Sequence, residues 1–526
     1  MTSESSSLAA LAPASVDLSA RPNHILAWLE ALRGLLPCAY GARVAMGLGL
    51  FAALWLSELA LSSLTPPMDN VEQLTWVRSL EWGYYKHPPL PTWLLWPVVQ
   101  VLGLNPASSY LMGAGVTLAA LGLFTLLLVQ ARGQAYASIA LLAALCITYY
   151  NGRLHFYNHN TLLMLFVAAS ALACWQALRQ RSLGWWCVLG LMLGLGGLSK
   201  YQIAVSALSV AVVWLQQRGW RDSIHRTGAM LAALTAMLVL LPHLVWLVRH
   251  DFGPIHYAMN SSLGVGMSWS ERLGSVLNWL ADQLLNRMLP AWLLLGFAIG
   301  SWQRRSPVTP VRSEQAPEPI GAPANLARTL LLSFGLVPLV FMAAVGLVFG
   351  SELQLQWGTA FLPFTVPAVM ELLAMRKKIP LLHVRRAAVA FAGIQILLLG
   401  LNWSTSAKGP QQWQSAHWCH FPSAQLAQIL ADPVRQALGG PVRIIDGPAT
   451  LAGTLALQWP ERPVVLIDGD ASISPWVSAS ALRHCPILQV RQSDEALDST
   501  WSALEAPFDH IQWRVLLPDD STEPCS

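Results

Sequence analysis

Charge is what this chain has least of. Only 11% of its 526 residues are Asp, Glu, Lys or Arg, under half of the roughly 25% typical of a soluble domain. That leaves too little polar surface to clothe a water-soluble fold of this length. With 54% hydrophobic residues and a mean hydropathy of +0.46, the composition specifies a polytopic membrane protein. The same figures exclude disordered, collagen-like and small disulfide-rich classes. A net charge of +4, scattered along the chain, gives no argument for nucleic acid. No CxxC pair is present, so a structural zinc site has little support. Both the GxxxxGK[ST] nucleotide loop and the HExxH metalloprotease pattern are missing. Residues 1–20 have no apolar core following a Lys or Arg, so no cleavable signal peptide is expected.

What is present is a succession of apolar runs. About eleven meet the ~20-residue requirement for crossing hydrocarbon, within soft limits: 41–64, 107–131, 134–150, 158–178, 183–198, 201–215, 227–248, 284–302, 327–350, 358–375 and 387–402. Residues 89–104 open on a proline run and are expected to lie at the interface instead. Residues 24–36 read equally as a short surface helix or a linker. The 24 tryptophans suit the belts where indoles sit between lipid and water. With the N-terminus inside, the short inner segments hold 18 of the 32 Lys and Arg, and the short outer loops hold only Arg78, Lys86, Arg153, Lys200, Arg249 and Arg272. This asymmetry follows the positive-inside rule. It puts loop 65–106, loop 249–283 and everything after 403 outside.

Beyond residue 403 the apolar density falls. RIIDG (443–447), VVLIDGD (464–470), PILQVR (486–491) and QWRVLLP (512–518) read as strands, with helical stretches at 448–458 and 475–484. The expected fold is thus an all-α polytopic membrane protein of about eleven transmembrane helices, carrying a small C-terminal α/β extramembrane domain. Its divisions are a cytoplasmic segment 1–40, a membrane domain 41–402 and an outer domain 403–526. Asp-Gly turns in the outer domain end strands or bind a ligand. Cys419, Cys485 and Cys525 fall on the oxidising side, and a Cys419–Cys485 bridge is expected because Cys525 lies one residue from the end.

Charged residues beside membrane spans are costly to keep unless something uses them. Asp69 follows the first span by a few residues, with Glu72 at i+3. That spacing reads as a helix cap with a supporting carboxylate, or as an ionised base able to take a hydroxyl proton; the readings are compatible. Lys86 and His87 precede Pro88-Pro89, which holds the backbone extended; they read as solvated interfacial residues or as a site for a lipid phosphate. Lys200, beside Ser199 and Tyr201, stands against the positive-inside bias, which favours function over simple snorkelling. The glycines before it, Gly190 and Gly194 among them, are spaced for close helix packing. His155 and His159 at i, i+4 suggest zinc only on spacing, with no third ligand nearby; hydrogen bonding beside Arg153 and Asn160 is the preferred role. Arg249, His250, Asp251, His256 and Tyr257 read either as a second wall of the same polar site or as a solvated loop.

The segment MDNVEQLTWVRSLEWGYYKHPPLPTWL (68–94) resembles the first outer loop of glycosyltransferase family 39 and its relatives. These are GT-C-fold membrane transferases that use polyprenyl-phosphate sugars, among them protein mannosyltransferases and bacterial aminoarabinose transferases. The resemblance spans most of 41–402 and rests on four features in order. They are the acidic motif after the first span, the aromatic-x-Pro-Pro-Leu segment, the polar motif opening the fourth span and the Lys between the fifth and sixth. It implies Asp69 as catalytic base, with Glu72 in place of the second acid of a tandem Asp-Glu. It implies His87 where a phosphate-contacting Lys stands in the aminoarabinose transferases, Asn160 in place of their Asp, and Lys200 as phosphate ligand. Those departures argue against lipid A aminoarabinosylation itself.

The implied function is inverting transfer of a sugar from a polyprenyl-phosphate donor to a lipid, glycan or protein acceptor at the periplasmic face of a Gram-negative inner membrane. Asp69 and Glu72 would be catalytic. Lys86, His87, His155, His159, Asn160, Lys200, Tyr201, Arg249, His250 and His256 would bind substrate. Neither a metal nor another cofactor is required, because the donor is already activated. Two alternatives remain at this stage: a polyprenyl-phosphate-sugar flippase, and a non-catalytic assembly factor that binds lipid phosphate.

Overall fold

The computed structural model describes residues 38–261, 266–299, 324–376, 383–415, 417–492, 500–518 and 525. The stretch 24–36 and the inner cations Arg21, Arg33, Arg304, Arg305, Arg312, Lys377 and Lys378 lie outside the described residues. In chain order the membrane part contains α1 Cys38–Ser62, α2 Met68–Trp76, α3 Leu90–Leu102, α4 Pro106–Arg132, α5 Gln134–Ala144, α6 Thr148–Gly152, α7 His159–Gln180 and α8 Leu183–Ser199. A 3-10 turn at Tyr201–Ile203 runs into α9 Ala204–Gln216, followed by α10 Ser223–Arg249, α11 Gly253–Ser261, α12 Trp269–Ala281 and α13 Leu289–Ile299. Then come α14 Ala324–Phe349, α15 Leu362–Arg376 and α16 Val384–Thr405.

Each of the eleven apolar runs is helical. Among the described residues, six helices (α1, α4, α7, α10, α14 and α16) are long and apolar enough to cross a membrane. Shorter apolar helices occupy the other five runs. The run 134–150 is broken, because α5 stops at Ala144 and α6 restarts at Thr148. Residues 90–102 form the separate helix α3, opening on the expected prolines.

Packing sorts these helices by depth. The apolar window of α7 is 89% buried within the chain, so α7 is central, whereas α10 and α16 bury only 17% and 11% and leave their faces to lipid. A Cβ on Gly190 would overlap the Ala232 backbone, and one on Gly194 would overlap Val239, so the paired glycines do let α8 lie against α10. At the end of the bundle away from the 65–106 loop, Arg132 grips Glu371 with two bonds of 2.8 Å, and Tyr136 adds a third contact at 3.1 Å. A buried ion pair is tolerable only when bonded this fully.

The C-terminal domain has its own core. It comprises α17 Ser423–Leu438, β1 Ile444–Gly447, α18 Ala449–Gln458, β2 Val464–Ile467, α19 Ala479–His484, β3 Ile487–Gln492, β4 Ser502–Ala503 and β5 Ile511–Leu516. Strand order is β2-β1-β3-β5-β4, with β1 parallel to both neighbours and β5 antiparallel to β3 and β4. All four expected strands are present. The amphipathic α17 and the two-residue β4 had gone unread. Both Asp-Gly turns end parallel strands: Gly447 and Gly469 take positive φ, and the Asp446 carboxylate accepts from the Gly469 N–H at 2.6 Å.

One covalent expectation is overturned. Cys485 bonds Cys525, not Cys419, with Cα atoms 4.8 Å apart. Cys419 is buried at the end of α1, where its carbonyl accepts from the Leu64 and Thr65 N–H groups, while Cys525 packs with Cys485 just past α19. Position along the chain decides nothing about which cysteines meet in the fold. In the chain-entropy picture, closing this 40-residue separation stabilises the domain by about 4 kcal/mol. Cys485→Ser is therefore expected to lower the melting temperature of the C-terminal domain, and reductant to do the same to wild type but not to the variant.

Candidate active site

The site begins with the short helix α2. Pro67 holds its N-cap position and makes no side-chain cap bond. The capping-box reading of Asp69 and Glu72 is thus corrected: Met68 opens the helix, and Asp69 sits one residue inside it, where the cap geometry no longer applies. Its side chain is free to reach sideways. Asp69 Oδ2 accepts from Asn158 Nδ2 at 2.6 Å, and Oδ1 has no hydrogen bond among the described residues.

Asn158 is the residue that sequence reading passed over. Its Oδ1 accepts from the backbone N–H of Asn160 and of Thr161, both at 2.9 Å, so it is the N-cap of α7. Its amide nitrogen is left to hold Asp69. The local signal is an Asn opening the helical run three residues before Thr161-Leu162-Leu163, a cap position for its first turn. Asn70 makes a second tie: Nδ2 donates to the His155 carbonyl at 2.8 Å and Oδ1 accepts from the Tyr157 N–H at 2.9 Å. Segment 153–158 and α2 are therefore one unit.

The C-terminal domain clamps that unit from above. Thr65 Oγ1 donates to the Phe421 carbonyl at 2.5 Å and Trp418 Nε1 to the Pro66 carbonyl at 3.1 Å. Arg78 bonds the Arg462 and Pro463 carbonyls. Gly453 of α18 faces Val71 so closely that a Cβ would overlap it.

Across from Asp69 lies a chain of polar groups. Lys200 ends α8 and donates from Nζ to Asn160 Oδ1 at 2.6 Å. The Asn160 amide nitrogen lies 3.0 Å from His159 Nε2, and the His159 ring is 3.6 Å, centre to centre, from that of His87. Lys200 Nζ also sits 5.9 Å from the centre of the Trp357 ring. Lys86 is ion-paired to Glu72 and flanked by the rings of Tyr85 and Tyr257 at 5.2 and 5.3 Å.

Electrostatics separate the two lysines. Burial opposes the Lys86 cation, but Glu72 outweighs it, and Lys86 stays above its ordinary pKa. Its charge is already neutralised. Lys200 has no carboxylate in salt-bridge range among the described residues, and burial pushes it down to about 7, with Asp69 pulling it back up in part. His87 is driven well below the ordinary imidazole value by burial and by Lys200 and Lys86, so it is neutral.

The remaining candidates divide. Tyr201 donates to His243 Nε2 at 2.8 Å, because His243 Nδ1 must donate to the Trp82 carbonyl at 2.6 Å. His243 thus ties the first loop to α10, and Tyr201 joins the turn after α8 to the same imidazole. His155 is buried, as taken up below. Arg249, His250 and His256 lie exposed at the end of α10 and in α11. His250 bonds the Trp246 carbonyl and stacks on its ring, and none of the three touches the Asp69–Lys200 group. From that loop it is Tyr257 that reaches inward, to Lys86. No group of three metal-ligating side chains occurs among the described residues.

The double role of Asn158 makes a prediction. Asn158→Ala removes a cap worth about 1 kcal/mol and releases Asp69. Asn158→Asp keeps the cap but sets a like charge against Asp69. We expect both variants to lose turnover, up to about 10²-fold for a misplaced group, and Asn158→Asp also to melt lower as pH rises and the two carboxyl groups compete to ionise. Unchanged turnover in Asn158→Asp would leave Asn158 as a cap and nothing more.

Comparison with known proteins completes the description. Residues 86–246 match a family model described as dolichyl-phosphate-mannose-protein mannosyltransferase. The chain is 25% identical over 461 residues to the lipopolysaccharide core galacturonosyltransferase RgtA of Rhizobium johnstonii, covering 84% of this chain and 85% of that one. It is 24% identical over 214 residues to the lipid A galacturonosyltransferase RgtD of the same organism, covering 38% and 43%. The crystal structure of ArnT from Cupriavidus metallidurans bound to undecaprenyl phosphate superposes with a TM-score of 0.59 at 15% identity, over 90% of this chain and 98% of that one. Its apo form gives 0.58 at 16%, over 89% and 98%.

Proposed function

We propose that this chain, similar over most of its length to membrane glycosyltransferases and sharing the fold of one solved with undecaprenyl phosphate, is a GT-C transferase that moves a sugar from a polyprenyl-phosphate donor to a membrane-associated acceptor. The observation that carries this reading is the pairing of Asp69, held by Asn158 with one oxygen unengaged, with Lys200, a cation whose only described bond is to an amide.

The chemistry follows from those two groups. An acceptor hydroxyl attacks the anomeric carbon of the donor while the bond from that carbon to the phosphate oxygen breaks. Asp69 takes the hydroxyl proton. The electron pair leaves with the polyprenyl phosphate, whose growing negative charge is met by Lys200 and by hydrogen bonds from His87 and His159. Attack opposite the leaving group inverts the sugar carbon. Glu72 holds Lys86 at the rim and is not a second base. The polyprenyl tail stays in lipid beside the bundle, so the reaction sits at the membrane surface that bears the C-terminal domain. By charge asymmetry that surface is the outer one, and the resemblance to bacterial lipopolysaccharide transferases makes it the periplasmic face of an inner membrane.

Relatives named for galacturonic acid and lipopolysaccharide put uronic-acid donors and lipopolysaccharide acceptors first in the assay. Purified protein in lipid is to be given a panel of polyprenyl-phosphate sugars with envelope extracts, and products read by mass spectrometry. Consumption of one donor with a matching mass gained by an acceptor is the expected result. Donor binding without consumption would move the flippase and scaffold readings ahead.

A further inference from the structure

A polar cavity lies beside segment 153–158. Its volume is about 250 Å³, and its walls include Ser62, Arg153, His155, Asn402, His417 and His420, with no Asp or Glu. Since a water occupies about 30 Å³, the cavity has room for a headgroup phosphate and part of a sugar. His155 is only 2% exposed, yet neither of its ring nitrogens has a hydrogen-bond partner in the protein. Leaving such a group unpaired is costly, so this one is arranged for something that is not protein.

The other walls say what that is. Arg153 has no carboxylate in salt-bridge range among the described residues, lying instead beside the rings of Tyr149 and Phe156 at 5.7 and 5.2 Å. Its guanidinium offers a fork matched to phosphate and carboxylate oxygens. His417 Nδ1 accepts from the Cys419 N–H, which leaves Nε2 to carry the proton and donate. His420 Nδ1 donates to the Ser415 carbonyl, and Glu58 lies behind the wall, bonded by Asn402 at 2.7 Å. A cation, the His417 donor, the unpartnered His155 ring and a lining without carboxylates make an anion site. The cavity opens at the ends of α1 and α16, where Leu61 and Leu401 are 57% and 53% exposed to the lipid side. An amphiphile fits there better than a free ion.

We infer a second site, separate from the Asp69–Lys200 group, that takes the phosphate or carboxylate of a membrane glycolipid headgroup. It deepens the transferase reading by giving the acceptor an anchor. Segment 153–158 carries this site at one end, and from the other Asn158 holds Asp69. A headgroup anchored on Arg153 is therefore one short loop from the base.

Binding tests this without requiring turnover, so its failure is distinct from failure of the transferase reading. The full chain in phosphatidylcholine nanodiscs is to be titrated with short-chain phosphatidic acid, in a Lys200→Met background that removes the donor-phosphate cation. One bound phosphatidic acid is expected, weakened at least about 10-fold by Arg153→Ala, an exposed side chain whose loss leaves the melting temperature unaltered, and several-fold by His417→Ala. Short-chain phosphatidylcholine is expected not to compete. An affinity unchanged by Arg153→Ala, or equal binding of phosphatidylcholine, overturns the site. Equal competition by inorganic phosphate overturns the glycolipid assignment in favour of a free anion.

Discussion

Asp69→Asn is expected to lower donor turnover by about 10²–10⁴-fold, the usual contribution of a positioned general base, with little change in donor affinity. The substitution is chosen because it isolates proton acceptance. Asn158 donates to one carboxylate oxygen, and an amide oxygen can accept that bond equally well, so the side chain stays where it was. What is lost is the ability of the second oxygen to take a proton from an attacking hydroxyl. Glu72→Gln is the companion. Glu72 is paired with Lys86, so its loss should free a cation at the rim and shift donor KM more than kcat. If Asp69→Asn and wild type turn over donor at the same rate, the base assignment is wrong.

Lys200→Met is expected to cost about 10²–10³-fold in kcat, the scale of removing one group that meets developing charge. It should also flatten a pH dependence that wild type possesses. With its pKa near 7, Lys200 is charged below neutral pH and loses its proton above. Donor-phosphate affinity in wild type should thus weaken as pH rises from about 6 to 9, whereas Lys200→Met should show no such slope. The stability linkage has the opposite sign. Between about pH 7 and the ordinary lysine value the unfolded chain binds the proton and the folded chain does not, so this residue's contribution to stability rises with pH. A bound phosphate favours the cation, raises its pKa and takes up a proton, which titration in buffers of different ionisation enthalpy would register. A donor affinity flat across that range in wild type would remove Lys200 from the phosphate site.

Much of the architecture was legible along the chain because it is a one-dimensional property. Apolar length, β-branched runs and the Asp-Gly dipeptides are local, and they led to the helical runs and to all four strands longer than two residues. Lys200 stood out for the same reason: its anomaly is a charge in the wrong place along a string. Where reading failed, the deciding partner was remote in sequence. The i+3 neighbour offers Asp69 as a cap as readily as a base, and what holds it is Asn158, 89 residues away. Cys485 was given the wrong partner because only a folded terminus brings Cys525 beside it.

By itself, then, the sequence determined that this protein lives in a membrane, where its helices run, that a small mixed sheet follows them, and which charges are too costly to be idle. Only the tertiary structure decided which carboxylate is free and which is spent. Asp69 and Glu72 lie three residues apart on one short helix, and nothing local distinguishes them. Packing brings Lys86 onto Glu72 and Asn158 onto Asp69, and within a low-dielectric site the nearest partner governs what a charged group can do.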